Sequence, residues 1–115
     1  MSRTSFSVSK GSKSMSTLHT VNKSPFEKSS MTSCLGYAKE GSAVLLYEDG
    51  VYGAMQGTEY ADKVQAASGI KFYVLGPDLK TRGIAEDKLI EGVQVVDYAG
   101  FVALAAESSR VQAWV

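Results

Sequence analysis

The chain has 115 residues, 12 basic and 12 acidic side chains, and 44% apolar composition, which fits one soluble domain with a core that needs no disulfide or structural metal. A single Cys and a single His exclude an internal disulfide and fall short of a four-ligand zinc site, so a reducing compartment fits best and no metal or cofactor is expected. No apolar run approaches the ~20 residues of a membrane helix, and the balanced charge offers no broad basic face for nucleic acid.

Residues 1–14 carry Arg3, Lys10 and Lys13 without an acid, are rich in Ser and lack apolar periodicity, leaving the remainder net −3. They read as a disordered extension or expression remnant ahead of a second Met, with the folded domain at 15–115. A targeting segment is disfavoured because no apolar stretch follows the charges.

Leu18 to Val21 is the first strand candidate. Ser24, Pro25 and Glu27 then form a capping box, with Pro at the first helical position and Glu at the third. The helix they open is expected to run to about Ala38, with Met31, Cys34, Leu35 and Ala38 on one apolar stripe. Ala43 to Tyr47, Phe72 to Leu75 and Val93 to Val96 are nearly continuous apolar runs of the kind covered on both faces in parallel sheets.

Between these runs, Asp49 and Gly50 open a short Gly-interrupted helix through Met55, and Ala61 to Ala67 supplies another turn or two. Gly76, Pro77 and Asp78 start a short helix ending at Arg82 and Gly83. Asp97 caps a final helix bearing Tyr98, Phe101, Val102 and Ala105, and Val111 to Val115 forms a last short strand. Alternation of strand and helix implies a three-layer, flavodoxin-like α/β domain with a mainly parallel sheet of about five strands.

Cys34 is the one candidate nucleophile. It sits late in its helix, where the dipole disfavours a thiolate, and on the apolar stripe, where desolvation raises a thiol pKa. Ten residues of helix past Ser24 carry it ~15 Å from the strand end of His19, so a Cys–His dyad is not expected. A packing role is favoured over a reactive one. His19, Asn22 and Lys23 fall where open α/β sheets bind ligands, beyond the C-terminal strand ends; the alternative for His19 is satisfaction of loop backbone groups.

The glycines from Gly50 to Gly57 match neither a dinucleotide nor a P-loop spacing and read as tight packing. Asp49, Asp78 and Asp97 read as helix caps rather than acid–base groups. Tyr98, Phe101 and Trp114 are core or subunit-interface candidates.

Six segments in order, Leu18 to Phe26, Leu45 to Val51, Tyr73 to Leu79, Arg82–Gly83, Val95 to Val102 and Val111 to Trp114, resemble the DsrH/TusB family of sulfur-relay proteins, from Met15 to the C-terminus. The resemblance implies a DsrE-like fold and a cytoplasmic hetero-oligomer holding two copies each of this chain and of its DsrE/TusD-like and DsrF/TusC-like sisters. That complex passes sulfur to a DsrC/TusE-like acceptor, without direct contact to nucleic acid or membrane. It places the persulfide cysteine on the DsrE or TusD sister. The matching segment here, Leu75 to Gly83, has no Cys, so the chain is expected to be the non-catalytic subunit of a sulfurtransferase complex. Cys34 matches a cysteine of the DsrH branch, which favours sulfur oxidation over tRNA wobble-uridine 2-thiolation and leaves a persulfide on Cys34 as the alternative.

Overall fold

The computed structural model describes residues 3–7, 17–24, 30–67 and 69–114. Six strands form one sheet: β1 (Arg3–Ser7), β2 (Thr17–Val21), β3 (Ala43–Leu46), β4 (Lys71–Leu75), β5 (Gln94–Val96) and β6 (Arg110–Trp114), in the order β1-β6-β2-β3-β4-β5. The five strands from β6 to β5 are parallel, as the apolar runs predict, and β1 is antiparallel. The central strands β2 and β3 are almost wholly buried, whereas edge strand β5 has no fully buried residue. Continuous apolar sequence therefore marks the middle of the sheet, where both faces are covered.

Helices occupy both faces. On one lie α1 (Ser30–Tyr37), a 3-10 helix at Glu48–Ala54 and α2 (Glu59–Ala66). Here Val21, Val44, Leu46, Val74 and Trp114 of the sheet meet Met31, Cys34, Val51, Tyr60 and Val64 of the helices, with Leu79 of α3 (Gly76–Thr81) at the margin. On the other lies α4 (Tyr98–Glu107), where Gly100 approaches Val96 and the Phe101 ring meets Tyr47. The expected three-layer architecture is thus present.

Capping follows the sequence at α4 and adds at α2 a cap that the sequence reading did not single out. Asp97 accepts a hydrogen bond from the Gly100 amide at 2.8 Å, and Thr58 accepts one from Tyr60 at the start of α2. The Pro25 and Glu27 parts of the predicted capping box lie outside the described residues.

Two expectations are corrected. Arg3–Ser7, placed by sequence in a disordered extension, pairs along the whole of β6 from Arg3 opposite Trp114 to Ser7 opposite Arg110. The physical reason is non-local: without it, β6 would present an unpaired row of backbone donors and acceptors at the sheet edge. Trp114, a candidate interface residue, is only 1% exposed, because β6 is inserted between β1 and β2 instead of forming an edge.

Candidate functional site at the strand ends

The C-terminal ends of β2, β3 and β4 are tied together by side chains. Asn22, just past β2, donates through Nδ2 to Glu48 Oε1 at 3.1 Å. Glu48, just past β3, holds a left-handed backbone (φ 50°), and its amide donates to Asp78 Oδ2 at 2.6 Å. Arg82 closes the chain of contacts, with Nε and Nη2 on Asp49 Oδ1 at 3.0 and 2.9 Å and Nη1 on the Asp78 carbonyl oxygen at 3.3 Å.

The aspartates divide their labour differently from the sequence expectation. Asp97 caps its own helix, but Asp78 caps the neighbouring 3-10 helix by accepting from its first residue, and Asp49 pairs with Arg82. Sequence reasoning missed Arg82 and Glu48 because both act across sequence separations of about thirty residues. With these carboxylates held by a cation or a backbone amide, the network is built to join three strand ends rather than to move protons. Close packing supports the same junction. A Cβ on Gly50 would stand 2.1 Å from the Val21 carbonyl oxygen, so this glycine serves tight approach, whereas Gly57 has open space about it and serves a turn with φ 78°.

The proposed ligand trio does not converge. Asn22 and Lys23 follow β2, but His19 lies inside the strand, three residues back, which is ~10 Å along an extended chain. Its ring is buried, and Nδ1 accepts a hydrogen bond from the Trp114 indole N–H at 3.1 Å. Tyr37 completes an aromatic triad, with ring centroids 6.3 Å from His19 and 5.7 Å from Trp114. His19 is therefore a core acceptor, and its correction follows from strand register: it faces β6 instead of the loop.

Desolvation, with a smaller contribution from the Arg110 charge, lowers the His19 pKa to about 4 from 6.5. Between those values the unfolded chain binds more protons than the folded one, so stability falls as pH drops from 6.5 towards 4. The loss is at most about 3 kcal/mol. Urea unfolding at pH 7 and pH 4.5 should show His19→Gln losing less on acidification than wild type; equal losses would remove His19 as the source.

Cys34 is fully buried in the core cluster, and burial pushes its thiol up to about 12. Burial thus keeps the thiol protonated at neutral pH, which disfavours it as a nucleophile. Of the interface candidates, Tyr98 is 59% exposed, Phe101 is half-buried against Tyr47, and Trp114 belongs to the core. Among the described residues no group of His, Cys, Asp or Glu could hold a metal ion, and no helix is long and apolar enough to cross a membrane.

The site thus belongs to a three-layer α/β protein whose strand ends are joined by an Asn–Glu–Asp–Arg network that contains no thiol. Solved structures share the fold: the ychN protein of Escherichia coli superimposes with a TM-score of 0.76 at 15% identity, covering 87% of this chain and 99% of that one. A protein of unknown function from Methanobacterium thermoautotrophicum gives 0.64 at 20% identity over 81% and 92%. In sequence, residues 23–111 match the family model described as DsrH like protein. Protein TusB of Pectobacterium parmentieri is 35% identical over 97 residues, 84% of this chain and 99% of the relative, and Protein TusB of Shigella flexneri is 34% identical over the same shares. The chain belongs to the DsrH family.

Proposed function

We propose that this chain is a structural and interaction subunit of a cytoplasmic, hetero-oligomeric sulfur-relay complex and is not its sulfur-bearing subunit. The observation that carries this reading is the state of its only thiol: Cys34 is sealed in the core with its pKa pushed to about 12. The segment after β4, where the family resemblance puts the persulfide cysteine of a sister subunit, holds Asp78 and Arg82 in a structural network instead.

The partners implied are DsrE/TusD-like and DsrF/TusC-like sisters, with a DsrC/TusE-like acceptor reached through the complex. Similarity to TusB proteins supports a role in tRNA wobble-uridine 2-thiolation. The DsrH family match and the presence of Cys34 support sulfur oxidation as the second reading.

Native mass spectrometry after co-expression with both sisters tests the proposal. One stable complex is expected, and Cys34→Ser should assemble and accept sulfur from a persulfide donor as wild type does. A sulfur adduct of about 32 Da on Cys34 that an acceptor protein removes, together with loss of transfer in Cys34→Ser, would make the chain a carrier. Failure to associate with either sister would remove the subunit reading.

A further inference from the structure

Helix α4 is apolar on the side where a surface helix is ordinarily charged. Its outward positions are Tyr98, Ala99, Val102, Ala103 and Ala106, with Tyr98 59% and Val102 66% exposed, and the helix has no buried residue. No charge occurs between Tyr98 and Ala106. A helix apolar all round belongs inside a protein, so a stripe of about 15 Å is left without the cover its composition calls for. Beside it, a groove of about 810 Å³ runs past Gly100 between α3 and α4, floored by Leu79, Ile84 and Val95.

Charge decides what fits there. The stripe is bounded by Asp97 at its N-terminal end and by Glu107 at its C-terminal end, and the last turn holds no base. Glu107 therefore adds negative charge to the end of the helix that is already negative. Against a second copy, antiparallel packing would set Asp97 on Glu107, and parallel packing would set each acid on its twin. Both arrangements oppose like charges.

We propose that α4 docks an apolar helix of a different protein, one that carries Lys or Arg at both ends of its contact stripe to meet Asp97 and Glu107. This rests on the subunit reading above and names the face and the chemistry of the contact. The groove beside the stripe is lined by one base, Lys80, against two acids, Glu86 and Asp97.

The test co-expresses the full chain with the two sister subunits and compares wild type with Val102→Glu, Glu107→Lys and, on the opposite layer, the exposed control Asp62→Lys. Circular dichroism confirms folding, and Ala103→Arg replaces Val102→Glu if that variant does not fold. Val102→Glu is expected to weaken assembly roughly a hundredfold and Glu107→Lys roughly tenfold, with Asp62→Lys unaffected. A complex that forms equally well with Val102→Glu and Ala103→Arg overturns the docking face while leaving the subunit reading intact. No complex with wild type overturns both. A free chain that dimerises, becomes monomeric with Val102→Glu and dimerises more tightly with Glu107→Lys assigns the face to a second copy and also overturns the proposal.

Discussion

Replacing Gly50 with Ala is expected to lower the melting temperature by roughly 10–20 °C. The added Cβ would run into the backbone at the end of β2: the Val21 carbonyl oxygen at 2.1 Å, the Val21 carbonyl carbon at 2.9 Å and the Asn22 Cα at 3.3 Å. No side chain can rotate away to make room. The 3-10 helix at Glu48–Ala54 must instead back off from the end of β2, which strains the hydrogen bond from the Tyr47 amide to the Val21 carbonyl oxygen at 3.1 Å. It also pulls Glu48 from Asn22 and Asp78. Overpacking of this kind costs about 3 kcal/mol or more when backbone has to move. Gly36→Ala is the matched control, since nothing lies within 4 Å of its added Cβ and Ala favours a helix interior. Thermal unfolding followed by circular dichroism should show Gly36→Ala melting at or above wild type. A Gly50→Ala melting point within about 3 °C of wild type would sink the account of the junction.

Trp114→Ala should be nearly as damaging. The indole is among the largest fully buried side chains, so its removal leaves a cavity costing about 3–5 kcal/mol. It also withdraws the donor that serves His19 Nδ1, leaving a buried acceptor unpaired. Trp114→Phe separates the two effects, because it keeps most of the packing and loses only the N–H. Its cost should be about 1–2 kcal/mol, measured as a shift in the urea midpoint at unchanged slope. Equal destabilisation by Phe and Ala would mean that the hydrogen bond, not the volume, dominates the site.

Local signals in the sequence carried over well where the structure they specify is local. The apolar runs at Ala43 to Tyr47 and Phe72 to Leu75 became β3 and β4, Asp97 became the cap of α4, and the spacing of Met31 and Cys34 put both in the core. What escaped was set by neighbours distant in the chain. The polar pentapeptide Arg3–Ser7 has no strand pattern of its own and is ordered by the free edge of β6. Trp114 was open to core or interface because tryptophan is common in both; the position of β6 between β1 and β2 decides for the core. The end of β2 falls at Val21 as the sequence indicates, with His19 inside the strand; what escaped was its partner, the Trp114 indole on β6, which makes the imidazole a core acceptor. The Arg82 network links residues about thirty positions apart, and nothing in the spacing of Asp49, Asp78 and Arg82 announces it.

The only tryptophan of the chain donates its hydrogen bond to the only histidine, across the β2–β6 seam. The protein thereby contains its own optical gauge. Indole emission responds to the polarity around the ring and to protonation of a contacting imidazole, and no second tryptophan dilutes the signal. A ligand or partner that settles on the outer face of α4 should leave the emission maximum where it is. Anything that parts the two strands, including acid sufficient to charge His19, should shift it. Fluorescence from the unlabelled protein can therefore tell docking on the surface from opening of the sheet.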